Sequence, residues 1–329
     1  KKFLMRAIIP VAGIGSRLKP HTNTIPKVLL TVGDKPILGH ILQKLLDSGI
    51  NEATFVTGHL GGMIKHYVEK NFPMLDSIFV EQKKPEGLGH AIYQAAHTFG
   101  NDEIFIILGD TIFDVDLEKV ISMGTSALGL KYVEDPRRFG VAIIEDGEIK
   151  ELVEKPEVPP SNMAIVGLYY IKNSEKLASC LRHNIENDIR TRGEFQLTDA
   201  LQMMLNQGEK MLPFTVDGWY DCGKPETLLE TNRFLLSKHH DSNGSGKVVI
   251  NPPCYIHPSA VILNSVVGPF VTISEGVKIS ESVVKNSIIG PHAEVERCIF
   301  EDSLIGANSF LRGKYTRVNT GDSSEIDFN

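Results

Sequence analysis

The stretch RAIIPVAGIGSRLKPHTNTIPK, residues 6–27, decides the fold and the kind of ligand. Its first part, Arg6–Val11, is a short apolar run and is predicted to form a buried strand. The strand leads directly into Gly13 and Gly15, whose small size lets backbone N–H groups approach an anion closely. The pattern therefore predicts a turn after the first strand that holds a phosphate group.

Two cations favour this interpretation over the plainer one, a tight turn between a strand and a helix. Arg17 and Lys27 add positive charge where a triphosphate would lie. Two better-known phosphate loops do not fit. A dinucleotide fingerprint requires a third glycine where Leu18 stands, and the P-loop pattern GxxxxGK[ST] occurs nowhere in the chain.

The segments around this loop alternate between apolar runs and amphipathic stretches, which is typical of strands joined by helical crossovers. They predict an α/β fold, a Rossmann-like domain with a mixed, mostly parallel sheet. Ligands of this architecture bind beyond the carboxyl ends of the strands. The predicted strands are Arg6–Val11, Glu52–Thr57, Ser77–Val80 and Glu103–Leu108, and the predicted helices are Ile37–Ser48, Gly61–Lys70 and Gly89–Phe99.

A β-hairpin is predicted later in the first domain. Phe139–Ile144 and Glu148–Val153 alternate in hydrophobicity around Asp146-Gly147, a dipeptide that accepts the positive φ values of a tight turn. The second strand of the hairpin ends at Glu154-Lys155, and the proline that follows stops it. Two charged side chains are therefore expected at the end of this hairpin.

A polar, glycine-rich linker, Asp241–Gly246, separates the first domain, residues 1–240, from a repetitive region. There the tetrapeptides SVVG, SVVK, SIIG and SLIG begin at 265, 282, 287 and 303, so similar motifs return after 17 or 16 residues. Three short strands per turn of a solenoid give that spacing, whereas a β-sandwich with frequent turns is the alternative.

The repeats, residues 247–312, resemble the hexapeptide-repeat left-handed β-helix, and the polar tail 313–329 is expected to be loosely ordered. Aliphatic side chains recur every five or six residues, as expected for the interior of such a coil. They are Ile250, Ile256, Ile262, Val267, Ile273, Ile279, Val284, Ile289, Val295, Phe300 and Ile305.

The composition excludes several classes of protein. The 329 residues are 42% hydrophobic and 23% charged with a net charge of −7, which is typical of a globular domain and not of a disordered or fibrous chain. No run of eighteen apolar residues occurs, so we expect no membrane association and a cytoplasmic location. The four cysteines lack CxxC spacing, and the mild acidity argues against a nucleic-acid partner.

The string GxGxRL followed by PK resembles the signature of sugar-phosphate nucleotidyltransferases, which join a sugar 1-phosphate to a nucleotide and release pyrophosphate. The resemblance spans about residues 1–235, is closest to glucose-1-phosphate thymidylyltransferases, and extends to the β-helix that the family often carries. Many motifs in one order are more specific than any one of them. They are EQKKPEGLGHA at 81, LGD at 108, DPRRFGV at 135, VEKP at 153, VGLYY at 166, RGEFQLTDA at 192 and GWYDCG at 218.

The resemblance implies a nucleotide end, a sugar end and a magnesium site. The expected nucleotide-binding residues are Gly13, Gly15, Gln82 and Gly87. The expected catalytic residues are Arg17, which would stabilise the departing pyrophosphate, and Lys27, which would neutralise phosphate charge. The expected sugar-phosphate residues are Gly140, Glu154 and Lys155. The expected Mg²⁺ ligands are Asp110 and Asp221, each a lone acid after an apolar run; a turn acid and a surface-loop acid are the alternatives for these two.

The motifs divide on the identity of the nucleotide. Ala12 stands where thymidylyltransferases usually carry a second glycine, and GLGHA at 87–91 is similar to the uridylyltransferase pattern. The remaining motifs are similar to the thymidylyltransferase set. We therefore expect transfer from dTTP to glucose 1-phosphate, giving dTDP-glucose and pyrophosphate, with UTP as the alternative nucleotide.

Two other functions stay open from the sequence. The β-helix could carry an acyltransferase activity with His257 or His292 as general base, although both lie beside prolines in predicted turns. A non-catalytic regulatory subunit would be expected to have lost Arg17, Asp110 or Asp221, and none is missing. The flat faces of a β-helix predict a homo-oligomer.

Overall fold

The computed structural model describes residues 5–100, 103–238 and 248–315. The chain divides into two compact units, Lys1–Thr231 and Asn232–Asn329. The linker predicted at Asp241–Gly246 lies outside the described residues, as does the predicted tail from residue 316 onward.

The first unit alternates strands and helices over most of its length. Its strands are β1 (Arg6–Pro10), β2 (Thr31–Val32), β3 (Lys35–Pro36), β4 (Glu52–Thr57), β5 (Asp76–Glu81), β6 (Ile104–Ile107), β7 (Thr111–Asp114), β8 (Ser126–Tyr132), β9 (Gly140–Glu145), β10 (Glu148–Glu154), β11 (Met163–Ile171), β12 (Met211–Thr215) and β13 (Gly218–Asp221). Its helices are α1 (Ile37–Asp47), α2 (Gly61–Asn71), α3 (Leu88–Gln94), α4 (Leu117–Ser122), α5 (Ser174–Glu186), α6 (Leu197–Asn206) and α7 (Pro225–Ser237), which continues into the second unit.

The main sheet has nine strands, of which seven follow the order β10-β9-β11-β6-β1-β4-β5. Strand β8 pairs with β11, and β12 pairs with β8. Strands β1, β4, β5 and β6 are parallel neighbours, whereas β11 runs antiparallel to β6. The apolar residues of β6 are all buried, as expected for a strand covered on both faces. This sheet confirms the predicted Rossmann-like α/β class.

The carboxyl ends of three parallel strands place the predicted ligand residues along one edge of the sheet. The glycine loop follows β1, Gln82 follows β5, and Asp110 comes three residues after the end of β6. Strand β13 pairs antiparallel with β7, which sets Asp221 opposite Thr111. The backbone N–H of Cys222 then donates to the carbonyl of Asp110 at 3.0 Å, so two distant acidic segments are neighbours.

The predicted hairpin is confirmed. Strands β9 and β10 pair antiparallel, and the turn residues Asp146 and Gly147 have φ of 51° and 78°. The pairing sets Gly140 opposite Glu154.

The second unit is a coil of three parallel four-stranded sheets, which confirms the left-handed β-helix prediction. Its strands are β14 (Val249–Ile250), β15 (Cys254–Ile256), β16 (Val261–Leu263), β17 (Val266–Val267), β18 (Val271–Ile273), β19 (Lys278–Ser280), β20 (Val283–Val284), β21 (Ile288–Ile289), β22 (Glu294–Glu296), β23 (Ile299–Phe300), β24 (Leu304–Ile305) and β25 (Phe310–Arg312). The recurrent aliphatic side chains fill its interior, with Val267, Val284 and Ile289 fully buried.

Serine hydroxyls connect successive turns of the coil. Ser265 Oγ accepts from the backbone N–H of Ser282 at 3.0 Å, and Ser282 Oγ accepts from that of Cys298 at 3.0 Å. The sheet β14-β17-β20-β23 carries four aliphatic residues that lie in register on its outer side. This outer aliphatic row consists of Val249, Val266, Val283 and Ile299, and Ile299 is 85% exposed.

The two candidate general bases of the β-helix lie in turns between its strands. His257 Nδ1 is 2.8 Å from Ser259 Oγ, and the His292 ring lies against Gly276. In the described part of the chain, none of the helices has the length and apolar character needed to cross a membrane.

Candidate active site

The glycine loop is shaped by Gly15. Its φ of 68° favours glycine, and an added Cβ would come within 3.0 Å of both Lys27 Cβ and Thr22 Cγ2. The Thr22 hydroxyl also donates to the Gly15 carbonyl at 2.8 Å and fixes the loop. Gly13 differs, because an added Cβ there would meet no atom within 4 Å. The loop thus presents open backbone at Gly13 and a closed turn at Gly15.

Lys27 and Asp110 form an ion pair below this loop. Lys27 Nζ lies 2.5 Å from Asp110 Oδ2, and the lysine side chain is only 9% exposed against 35% for the aspartate. A buried ammonium needs such a partner, because desolvation of an isolated charge is costly. The pair therefore holds the ammonium group at the floor of the phosphate loop.

Asp221 brings a second carboxylate to this pair. Burial and then the negative charge of Asp110 raise the pKa of Asp221, while Lys27 and Arg17 oppose the rise. Two carboxylates that repel each other are a suitable donor set for a divalent cation. In the described part of the chain no group of three or more acidic, His or Cys side chains could hold a metal. Substrate oxygens would have to complete the coordination of an ion bound here.

The predicted nucleotide residues share one cavity of about 630 Å³ with the phosphate loop. The residues from the prediction that line it are Gly13, Gly15, Arg17, Lys27, Gln82, Gly87 and Asp110. The nearby apolar residues Pro85, Leu88 and Ala91 line it as well. This combination of an apolar wall and a cationic floor suits a base and its phosphates.

Gly87 is fixed against the segment that contains Phe195. Its φ is 111°, and an added Cβ would lie 2.5 Å from the Phe195 carbonyl oxygen. The backbone N–H of Gly89 donates to that carbonyl at 2.8 Å, and the N–H of Phe195 donates to the Glu86 carbonyl at 2.9 Å. The loop before α3 and this segment therefore form one rigid wall.

The predicted sugar residues form a separate cluster at the end of the hairpin. Glu154 Oε2 accepts from the Thr198 hydroxyl at 2.6 Å, and Glu154 Oε1 lies 3.0 Å from Lys155 Nζ. Arg192 donates to the Lys155 carbonyl at 2.7 Å. An added Cβ at Gly140 would lie 2.9 Å from Thr198 Oγ1 and 3.0 Å from Glu154 Oε2, so a side chain there would require both groups to shift.

A second cavity of about 400 Å³ adjoins the phosphate loop through Arg17, which lines both. Asp221 lines this second cavity together with the aromatic residues Phe139 and Trp219 and the cation Lys224. The Phe139 and Trp219 rings meet edge to face with centroids 5.3 Å apart. Arg17 therefore lines both the cavity that contains Asp110 and the cavity that contains Asp221.

The structure adds residues that the sequence prediction omitted. Thr198 and Arg192 lie within the quoted RGEFQLTDA motif, so that motif was the available signal for them. Asp199 lies beside them with Oδ2 buried and without a hydrogen-bond partner, and burial raises its pKa. The Lys27–Asp110 pair joins residues 83 positions apart and had no local signal.

A phosphate loop after the first strand, paired aspartates beside it and a carboxylate–lysine cluster at a hairpin end define a class of α/β enzymes that transfer nucleotidyl groups. The profile of the family described as nucleotidyl transferase matches residues 6–238, and the chain belongs to that family. It is a sugar-1-phosphate nucleotidyltransferase.

Known proteins agree with this assignment. The chain is 35% identical over 242 residues to the low-salt glycan biosynthesis nucleotidyltransferase Agl11 of Haloferax volcanii, covering 70% of this chain and 66% of that protein. It is 29% identical over 340 residues to a glucose-1-phosphate thymidylyltransferase of Streptomyces antibioticus, covering 92% of each. A solved structure of UDP-glucose pyrophosphorylase with UDP-glucose matches 72% of this chain and all of that one, with 27% identity and a TM-score of 0.62.

Proposed function

We propose that the protein transfers a thymidylyl group from dTTP to glucose 1-phosphate, giving dTDP-glucose and pyrophosphate. A phosphate oxygen of the sugar phosphate attacks the α-phosphorus, a new P–O bond forms, and the bond to the β-phosphate breaks. Two polyanions must meet for this step, so charge neutralisation and in-line positioning carry most of the catalysis.

The cations of the phosphate loop supply that neutralisation. Lys27 lies on the floor of the nucleotide cavity, where its ammonium would stabilise charge at the α-phosphate. Arg17 lines both cavities and would hold the departing pyrophosphate between them. Glu154 would accept hydrogen bonds from sugar hydroxyls, and Lys155 would bind the sugar phosphate.

We also propose Mg²⁺ as the cofactor, held by Asp110 and Asp221. Burial and, after it, the negative charge of Asp110 raise the pKa of Asp221, so a cation bound between the two carboxylates would relieve an unfavourable charge. Such an ion, once bound, supplies Lewis-acid stabilisation of phosphate charge. With the ion bound, Asp110 would divide its charge between the ion and Lys27.

The choice of dTTP rests on the motifs LGD, DPRRFGV, VGLYY, RGEFQLTDA and GWYDCG, which are similar to the thymidylyltransferase set. A thymidylyltransferase relative matches 92% of this chain, but a bifunctional GlmU relative matches 96%, so the motifs and not the matched length favour dTTP. UTP is the second candidate, because the GLGHA motif lies in the wall of the nucleotide cavity and because the matched solved structure is a UDP-glucose pyrophosphorylase. A homo-oligomer formed through the outer aliphatic row is a further part of the proposal.

A pyrophosphate-release assay tests the proposal. It combines dTTP, UTP, ATP, CTP and GTP with the 1-phosphates of glucose, glucosamine, mannose and N-acetylglucosamine, each with and without Mg²⁺. The expected maximum is dTTP with glucose 1-phosphate in the presence of Mg²⁺. If no pair of substrates released pyrophosphate, the proposed reaction would be contradicted. If the highest rate were obtained with UTP, the protein would be a uridylyltransferase, the second candidate.

A further inference from the structure

The side-chain amide of Gln82 is held in one orientation. Its Nε2 lies 3.2 Å from the carbonyl oxygen of Gly87, which can only accept a hydrogen bond. The atom facing that carbonyl must therefore be the amide nitrogen, and the reversed amide would bring two oxygens together. Gln82 itself is 8% exposed and lines the nucleotide cavity.

The same amide nitrogen fixes the tautomer of His90. His90 Nδ1 is 3.1 Å from Gln82 Nε2, so Nδ1 accepts the second N–H of the amide. The imidazole proton is then on Nε2, which lies 3.0 Å from the Gln94 amide and 3.6 Å from Glu86 Oε2. The Gln94 atom placed at 3.0 Å is Nε2, which is also a donor, so the Gln94 amide must be rotated by 180° for its oxygen to accept this N–H.

Both N–H groups of the Gln82 amide are thus bonded within the protein, and the amide oxygen Oε1 is left to contact a ligand. An oxygen can only accept, so it pairs with a base that presents a ring N–H. Uracil and thymine carry that N–H at N3, whereas cytosine has a lone pair there. Without His90, only the contact with the Gly87 carbonyl would still oppose rotation of the amide, so the reversed amide, which donates to cytosine, would cost less.

We propose that His90 is a positioning residue for base selection, which holds the Gln82 amide so that only its oxygen reads the base. This inference rests on the proposed function. His90 acts through Gln82, since Gln82 lines the nucleotide cavity and His90 contacts its amide. Glu86 in turn accepts from Arg190 at 3.1 Å, and the Phe195 ring lies 6.3 Å from the imidazole, so both help to fix its place.

Equilibrium binding of UTP and of CTP, without sugar phosphate, tests the proposal in four proteins. They are the wild type, His90→Leu, His90→Asn and His97→Leu. Leucine removes the acceptor, whereas the asparagine oxygen can take the place of Nδ1. His97 is an exposed histidine that bonds the Gln94 carbonyl and serves as the matched control.

The preference for UTP over CTP is expected to fall about tenfold or more in His90→Leu, because one hydrogen-bond mismatch has about that effect on selectivity. It should persist in His90→Asn and His97→Leu. A role in packing alone would weaken both nucleotides equally, and an unchanged ratio in His90→Leu would overturn the proposal.

The ¹⁵N shifts of His90 in the wild type give a second test that does not depend on folding of the variants. They should report a proton on Nε2, and a proton on Nδ1 would overturn the proposal. Wild-type turnover with an unmoved ratio would reject this inference and leave the proposed function intact. A ratio that falls as expected, in a protein that releases no pyrophosphate, would reject the proposed function instead.

Discussion

Lys27 Nζ lies 2.5 Å from Asp110 Oδ2, so the lysine of the phosphate loop and an aspartate of the proposed metal pair neutralise each other before any substrate binds. This contact gives a lysine whose side chain is only 9% exposed a carboxylate partner inside the protein. The surroundings of the two aspartates therefore differ. Asp110 has a cation in direct contact, whereas Asp221 is half-buried beside the charge of Asp110.

Asp110→Asn is expected to reduce turnover on the order of a hundredfold or more, because the proposed ligand of Mg²⁺, which is also the partner of Lys27, is lost. The variant should also be destabilised by about 1–3 kcal/mol, since Lys27 keeps only a neutral acceptor. Pyrophosphate release and urea unfolding measure the two effects. Unimpaired turnover would remove Asp110 from the catalytic site.

Asp221→Asn is expected to lose turnover to a similar extent but to gain stability in the absence of divalent ions. The pKa of Asp221 is raised in the folded chain, so deprotonation costs stability as the pH rises from the ordinary aspartate range through the raised value. Asparagine avoids this cost at neutral pH. Thermal unfolding in EDTA should show the gain at pH 7 and its disappearance below about pH 4. A lower melting temperature at pH 7 would contradict the repulsion between the aspartates.

Gln82→Ala and Glu154→Ala are expected to separate the two substrate subsites. Loss of one hydrogen bond to a bound polar group costs about 1–3 kcal/mol, or one to two decades in affinity. Gln82→Ala should mainly weaken the nucleotide, and Glu154→Ala should mainly raise KM for sugar phosphate. Titration of each variant with each substrate alone distinguishes them, and the reverse pattern would exchange the assignments.

Gly87→Ala and Gly13→Ala form a matched pair of glycine substitutions. At Gly87 the new Cβ would meet the Phe195 carbonyl at 2.5 Å with φ of 111°, whereas at Gly13 it meets no atom within 4 Å. We expect Gly87→Ala to lower the free energy of unfolding by about 1–3 kcal/mol or more. Gly13→Ala should leave it nearly unchanged and weaken triphosphate binding. Equal unfolding midpoints for the two variants would show that the backbone around Gly87 can move to accommodate the new Cβ.

Ile299→Asp tests the outer aliphatic row of the β-helix. Ile299 is 85% exposed in the single chain, so the substitution should hardly affect folding of the monomer. Sedimentation analysis is expected to show a shift from an oligomer to a smaller species, because a buried unpaired charge opposes association. Glu301, whose exposed side chain pairs with Lys285, provides the control variant Glu301→Gln. An oligomer that survives Ile299→Asp would place the interface elsewhere.

The sequence predicted those parts of the fold that depend on local patterns. Strand β4 begins and ends at the predicted residues, because Glu52–Thr57 is a short apolar run bounded by polar turns. The β-helix could be predicted for the same reason, because its interior aliphatic residues recur at a regular spacing along the sequence. The helix predicted as Gly89–Phe99 is shorter in the structure, where it spans Leu88–Gln94. A separate 3-10 turn follows at Ala96–Thr98.

Contacts between distant segments could not be predicted in this way. The neighbourhood of Asp110 and Asp221 depends on the pairing of β7 with β13, and neither strand encodes its partner. The hydrogen bond between Thr198 and Glu154 joins positions 44 apart for a similar reason. Motif resemblance suggested which residues to compare, but the distances and charge states follow only from the folded chain.

The segment around Phe195 contacts both proposed subsites, which limits how the substrates of this enzyme could change. Its backbone carbonyl accepts from the N–H of Gly89 beside the proposed nucleotide cavity, and three residues later Thr198 bonds the Glu154 carboxylate in the proposed sugar cluster. A shift of this short stretch would therefore disturb both contacts together. Divergence toward a new sugar should therefore proceed through side chains of the hairpin, while residues 194–198 would accept change only alongside compensating exchanges at both ends.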